Sequence, residues 1–135
     1  MGGSLMNEKD IKILVVDDES DFRQLMKFWL ETKGYSVIEA QDGQTAIQVV
    51  KDSSPDLIFM DLRMPVMDGL ETIKRIRDFN KDVPIILISS YVTDPLIKDT
   101  TAYEISGIFN KAKDFQEEGL LLLESALRTH KKLKK

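Results

Sequence analysis

The stretch that decides the fold is residues 11–19, IKILVVDDE. It begins as a short, mainly apolar run rich in β-branched side chains, and the run ends abruptly at three acidic residues. Runs of this kind are typical of strands that are buried on both faces of a parallel sheet. The stretch therefore predicts a central strand that delivers carboxylates to one edge of a sheet.

Further apolar runs follow, and each alternates with a segment of helical periodicity. The predicted strands are residues 11–16, 35–40, 56–60, 85–88 and 107–110, and the predicted helices are residues 20–33, 45–51, 68–78, a weak one from 94, and 114 to about 130. The fourth helix is weak because Thr100 and Thr101 are poor helix formers. In the first helix Phe22, Leu25, Met26 and Trp29 recur at helical spacing, and the Met and Phe residues there are predicted to be core. This order predicts an α/β fold with a doubly wound parallel sheet.

Composition and charge narrow the class of protein. The 135 residues suit one domain, and 42% hydrophobic with 31% charged residues excludes a disordered or fibrous chain. Residues 128–135 hold five of the 19 basic residues, and without them 14 basic face 23 acidic residues, a net charge of −9. An acidic body argues against direct nucleic-acid binding. We expect residues 1–5 to be a foreign leader, residues 6–130 the domain and residues 131–135 a basic tail.

Two absences from the sequence add to this. Cys is absent, which excludes disulfides and thiolate sites and is in keeping with a cytoplasmic location. No apolar run approaches the roughly 18 residues that span a bilayer, so no membrane association is expected. The remaining candidate for chemistry is a site built from oxygen and amine groups.

Polar residues follow four of the predicted strands and should meet at one edge of the sheet. They are Asp17 and Asp18, Asp61, Ser89 and Ser90, and Lys111. Clustered carboxylates repel one another, and a divalent cation offsets that repulsion. Oxygen ligands without His or Cys favour Mg²⁺. Magnesium and a lysine beside a carboxylate predict phosphoryl transfer, with Asp61 as the nucleophile and Ser89 bonding a phosphoryl oxygen.

Three segments resemble the receiver domain of bacterial response regulators in two-component signalling. They are residues 13–19 (ILVVDDE), 61–69 (DLRMPVMDG) and 84–90 (PIILISS), and the likeness extends over about residues 10–130. The stretch at residues 61–69 is highly specific to that family. The resemblance implies a flavodoxin-like (βα)₅ fold with strand order 2-1-3-4-5.

The resemblance also implies roles for individual residues. Asp61 matches the phosphoacceptor, Ser89 the switch hydroxyl and Lys111 the lysine beside the phosphoryl group. The implied Mg²⁺ ligands are Asp18 directly, Asp17 largely through water, Asp61, and Arg63 through its backbone carbonyl.

The implied partners are a sensor histidine kinase or a phosphotransfer protein as donor. A downstream effector domain or protein would bind the face formed by the fourth helix, fifth strand and fifth helix. A homodimer formed on phosphorylation is a further expectation. Such a domain catalyses only its own phosphorylation and dephosphorylation, so it is not an enzyme in the turnover sense.

The sequence departs from the family in three places. Ala112 replaces the usual proline after the lysine, and we predict a trans Lys111–Ala112 bond because a cis bond there costs about 2.5 to 4 kcal/mol. Ile108 stands where the family has its switch aromatic, and Phe109 should point to the opposite face. Tyr91 and Arg63 are candidates for the rim of the site, and residues 93–106 lack the usual alanine-rich helix.

Two other functions stay open on the sequence alone. A phosphorylation-independent scaffold with the same fold would explain Ala112 and Ile108. A Mg²⁺-dependent phosphohydrolase with an aspartyl nucleophile would need the nucleophile and an acid/base Asp two residues apart after the first strand. Asp17-Asp18-Glu19 lacks that spacing, apart from Asp17 with a Glu.

Overall fold

The computed structural model describes residues 10–91, 93–112 and 115–130. Five parallel strands form one sheet in the order β2-β1-β3-β4-β5, so the predicted fold and strand order are confirmed. The strands are β1 Lys12–Val16, β2 Ser36–Ala40, β3 Leu57–Asp61, β4 Ile85–Ser89 and β5 Gly107–Asn110. The helices are α1 Ser20–Thr32, α2 Gly43–Ser53, α3 Gly69–Phe79, α4 Pro95–Thr100 and α5 Phe115–Thr129, with a 3-10 turn at Thr101–Tyr103.

Each face of the sheet has its own apolar core. On one face α1 and α5 cover the strands, and Met26 and Leu127 are fully buried there. On the other face α2 and α3 do so, with Ile73 and Ile76 fully buried. Because β3 and β4 are buried along their whole length, the chemistry of these strands is confined to their ends.

Capping residues set where two helices begin. Asp42 accepts a hydrogen bond from the Thr45 N–H at 2.7 Å, so α2 begins at Gly43 rather than at the predicted Thr45. Asp68 likewise accepts from the Glu71 N–H at 2.9 Å. A Cβ atom at Gly69 would lie 2.4 Å from the carbonyl oxygen of Asp61. Glycine at position 69 therefore lets α3 begin directly against the end of β3.

The helix after β4 is short, in keeping with the weak helix predicted from residue 94. The helix α4 has only six residues and continues into the 3-10 turn. Arg77 on α3 is buried and donates hydrogen bonds to the carbonyl oxygens of Tyr103 at 2.9 Å and Glu104 at 3.3 Å. Glu104 has a φ of 56°, in the left-handed region. The guanidinium thus holds the chain that follows α4 against α3.

Some details of the helices differ from the prediction. In α1 Met26 is fully buried and Phe22 packs partly buried against the same core, as predicted, whereas Leu25 is 47% exposed. Leu121 in the four-leucine run is 64% exposed, and Leu123 is buried. The predicted leader, the basic tail and Asp114 at the predicted start of α5 lie outside the described residues. Among the residues that are described, no helix is both long and apolar enough to cross a bilayer.

Candidate functional site

The site lies where the order of strands reverses, between β1 and β3. Asp17 directly follows β1, and Asp61 is the last residue of β3. With Asp18 they form a cluster in which one carboxylate oxygen of each lies within 4.8 Å of the others. The structure therefore brings together the three carboxylates that the sequence placed at this edge.

Burial and mutual repulsion shape the electrostatics of this cluster. Asp17 is fully buried, Asp61 is 5% exposed and Asp18 is exposed. Burial, followed by the negative charge of Asp17, raises the pKa of Asp61 to about 7. Burial also raises the pKa of Asp17, although contacts with Lys111 and the Glu19 N–H oppose it. A positive charge bound among these groups would relieve both effects.

One oxygen of Asp17 has an ion-pair contact but no well-aligned hydrogen bond. Its Oδ1 accepts a hydrogen bond from the Glu19 N–H at 2.8 Å. Its Oδ2 is 2.8 Å from Lys111 Nζ, an ion-pair distance, but this buried atom has no partner with hydrogen-bond geometry. A buried carboxylate oxygen in that state, beside two more carboxylates, fits a hard divalent cation such as Mg²⁺.

Lys111 reaches the cluster from the end of β5. Besides Asp17, its ammonium contacts the Glu19 carboxylate and lies 4.7 Å from the centre of the Phe22 ring. Burial alone would lower the pKa of Lys111, but its contacts with Asp17 and Glu19 and the charge of Asp61 outweigh that effect and raise it. The lysine is therefore held as a cation on the β1 side of the site.

Ser89, at the end of β4, is buried and bonded within its own loop. Its hydroxyl donates to the carbonyl oxygen of Tyr91 at 2.7 Å and accepts from the Tyr91 N–H at 3.2 Å. Ser90 is exposed, and the Tyr91 residue is 72% exposed. These residues line a cavity of about 260 Å³ that also contains Asp61 and Lys111. A larger cavity of about 510 Å³ also borders Asp18, but neither Asp61 nor Lys111 lines it.

Arg63 and Asp94 close the rim of the smaller cavity. The guanidinium donates to both carboxylate oxygens of Asp94, Nε at 2.8 Å and Nη2 at 2.6 Å. Asp94 also caps α4 by accepting from the Leu96 N–H at 3.0 Å. The bonds from Arg63 hold the pKa of Asp94 below its usual value. The sequence assigned Arg63 a backbone role and a place at the rim, and it did not predict this partner.

The departures near β5 have clear structural outcomes. The Lys111–Ala112 peptide bond is trans, as predicted. Phe109 is buried in the core under α1 and α5, whereas Ile108 is half-buried against the opposite core, so the two point to opposite faces as expected. The Ala112 N–H donates to Asn110 Oδ1 at 2.8 Å.

Sequence reasoning gave no role in the site to four residues that contact the site or its supports. They are Glu19, Phe22, Asp94 and Asn110. The first of these had a usable signal, because an acidic residue directly after two others at a strand end was already in view.

Comparisons with known proteins agree with this geometry. The family model of the response regulator receiver domain matches residues 13–122. The chain is 31% identical over 118 residues to response regulator MprA of Mycolicibacterium vanbaalenii, covering 87% of this chain and 48% of that protein. It is 32% identical over 111 residues to sporulation initiation phosphotransferase F of Bacillus subtilis, covering 82% of this chain and 86% of that protein.

A solved structure has the same fold. The chemotaxis protein CheY4 of Vibrio cholerae superposes with a TM-score of 0.80 at 30% identity, covering 87% of this chain and 98% of that one. The chain spans about half the length of the MprA relatives that it matches. The match across most of the chain, together with the acidic cluster at the strand edge, shows that the chain belongs to the response-regulator receiver family.

Proposed function

We propose that this receiver domain accepts a phosphoryl group on Asp61 in a Mg²⁺-dependent reaction. The observation that carries the proposal is the cluster of Asp17, Asp18 and Asp61, in which two of the three residues are buried and one carboxylate oxygen of each lies within 4.8 Å of the others. The cavity beside Asp61 is open to a donor and has Lys111 on its wall. These features are those that transfer to a carboxylate requires.

In the proposed reaction a carboxylate oxygen of Asp61 attacks the phosphorus of the donor. A new P–O bond forms as the bond to the leaving group breaks, and the leaving group takes that electron pair. For a phosphohistidine donor the broken bond is P–N and the pair goes to the imidazole nitrogen. The product is an acyl phosphate, which returns to the carboxylate when water attacks phosphorus.

Residues around Asp61 have separate tasks in this scheme. Asp17, Asp18, Asp61 and the Arg63 carbonyl would hold Mg²⁺, as the family resemblance implies. When bound, the cation offsets negative charge on the carboxylates and on the transferred oxygens. Lys111 supplies a second positive charge from the wall of the cavity. The Ser89 hydroxyl gives up its hydrogen bond to the Tyr91 carbonyl and donates a hydrogen bond to a phosphoryl oxygen instead.

The partners belong to the same proposal. The donor is a sensor histidine kinase or a phosphotransfer protein in the cytoplasm, and the domain catalyses only its own phosphorylation and dephosphorylation. The face formed by α4, β5 and α5 carries the output to an effector or to a second copy. Its support is that Asp94, which lines the cavity beside Asp61, also caps α4.

Intact mass spectrometry tests the proposal. The full chain is incubated with Mg²⁺ and a small phosphodonor, and we expect an adduct of about 80 Da, the mass of one phosphoryl group. The adduct should be absent in Asp61→Asn and without divalent cation, while Asp56→Asn, a carboxylate at the opposite edge of the sheet, retains it. A parent protein that never gains the adduct would point to the scaffold, and repeated turnover of a phosphate ester to a hydrolase.

A further inference from the structure

The turn that follows β5 fixes the backbone around Lys111. The Ala112 N–H donates to Asn110 Oδ1 at 2.8 Å, which closes an Asx turn with Lys111 at its centre. The N–H of Lys111 itself donates to the carbonyl oxygen of Ser89 at 2.8 Å. The peptide groups on both sides of the Lys111 Cα atom are therefore held in place.

Fixing this backbone limits where the lysine side chain can reach. The four-carbon stem of a lysine is flexible, so its rotamers alone do not fix the position of the ammonium. A fixed Cα–Cβ direction restricts the region that the ammonium can reach, and so the neighbours that it can contact. Here the ammonium lies 2.8 Å from Asp17 Oδ2 and 4.7 Å from the centre of the Phe22 ring, and it contacts Glu19. All three partners belong to the end of β1 or the start of α1.

We propose that Asn110 is a positioning residue that directs Lys111 to Asp17 through the Ala112 N–H. Proline at position 112 could not take part, since it has no N–H to donate. Asn110 and Ala112 thus act as a pair in this turn. The consequence for phosphorylation rests on the proposed function, because it requires that Lys111 serve the transfer to Asp61.

Two variants of Asn110 and a matched control test the positioning. Asn110→Ala removes the acceptor, whereas Asn110→Asp keeps an oxygen at the same place. Asn80→Ala is the control, because Asn80 Oδ1 accepts from the Asp82 N–H at 3.1 Å and the Val83 N–H at 3.0 Å at the opposite edge of the sheet. It removes a turn of the same kind away from the site.

The first readout is the NMR shift of the Lys111 ε-methylene protons, which feel the ring current of Phe22. Phe22→Leu supplies the shift of a lysine with no ring beside it. We expect Asn110→Ala to move the signal to that value, and Asn110→Asp and Asn80→Ala to retain the parent value. An unchanged signal in Asn110→Ala, or the same loss in Asn80→Ala, would overturn the proposal.

The second readout is the rate of phosphorylation by a small phosphodonor with Mg²⁺. A misplaced lysine should slow Asn110→Ala by about tenfold, with Asn110→Asp near the parent rate. Loss of the NMR shift with an unchanged rate would support the positioning and count against the role of Lys111 in the proposed function. If even the parent is not phosphorylated, the proposed function fails and the NMR shift still decides the positioning.

A double variant checks the route through the Ala112 N–H. Ala112→Pro removes the donor of the turn, so adding Asn110→Ala to it should change the ε-methylene shift no further. Full additivity of the two substitutions would overturn the proposed pairing.

Discussion

The two walls of the cavity beside Asp61 are built in different ways. On the Lys111 side, buried charges pair across residues far apart in the sequence, as in Lys111 with Asp17. On the Ser89 side, the hydroxyl bonds only two residues away, and the rim is an ion pair whose Arg63 side chain is 61% exposed. A rearrangement of the first wall would leave the fully buried Asp17 without its cation, whereas the second wall can move by exchanging a bond within its own loop and by turning the exposed Arg63 side chain away from Asp94. We therefore expect phosphorylation to move the Ser89 side and leave the Lys111 side in place.

The largest expected effect tests the buried wall through pH. Burial and Asp17 raise the pKa of Asp61 from 3.8 to about 7, so without divalent cation the folded protein holds this proton more tightly than the unfolded chain. Stability should then fall as pH rises from about 4 to 7, by about 1.4 kcal/mol per pH unit and on the order of 4 kcal/mol in total.

Urea unfolding of the parent and of Asp61→Asn between about pH 4 and pH 7 measures this change in the free energy of unfolding. Asp42 and Asp94 have lowered pKa values and act in the opposite direction, so they stabilise at higher pH. Asp17, whose pKa is also raised by burial, acts in the same direction as Asp61. The difference between the two curves therefore reports Asp61 together with its interaction with Asp17. Parallel curves would show that Asp61 is not destabilised by its surroundings.

The second test removes the cation of the buried wall. Lys111→Met leaves Asp17 buried without its ion-pair partner and should lower the free energy of unfolding at pH 7 by about 3 kcal/mol. Added Mg²⁺ should restore part of the loss by binding the folded state. Lys81→Met, an exposed lysine bonded to the Arg77 carbonyl, should change stability by about 0.5 kcal/mol or less. Equal losses in the two variants would contradict the special position of Lys111.

The third test addresses the rim. Asp94→Ala removes the cap of α4 together with the partner of Arg63, and it should lower the free energy of unfolding by about 1 kcal/mol. Asp94→Asn keeps an oxygen for the Leu96 N–H, so thermal unfolding should show a clearly smaller loss. An equal loss in both would mean that the ion pair, and not the cap, stabilises this wall.

The smallest effect concerns Tyr91, whose residue is 72% exposed at the cavity. We expect its ring to hinder water that approaches the acyl phosphate, so Tyr91→Ala should hasten dephosphorylation by about threefold. The loss of the phosphoryl adduct over time measures the rate, and Tyr91→Phe, which keeps the ring, should behave as the parent does. An unchanged lifetime in Tyr91→Ala would contradict this role.

Residues placed by the strands could be predicted from the sequence, whereas contacts between loop side chains could not. Hydrophobic periodicity predicted the strands, and the family resemblance implied their order in the sheet. The rule that parallel strand ends share one edge placed Asp17, Asp18 and Asp61 together. The partners of Arg63 and Asn110 were not predictable in this way. They depend on side-chain directions in loops, where neither a period of two nor one of 3.6 applies.

The buried Arg77 has a consequence for how α4 can respond. Arginine stays charged at all ordinary pH values, so its bonds to the carbonyls of Tyr103 and Glu104 persist under conditions that release the Arg63–Asp94 pair. Residues 94–104 are thus held at their C-terminal end by bonds that persist and at their N-terminal end by an ion pair that can be released. We therefore expect a conformational change in this segment to displace Tyr103 less than Asp94. A partner that senses the start of α4 would therefore receive a larger signal than one that senses its end.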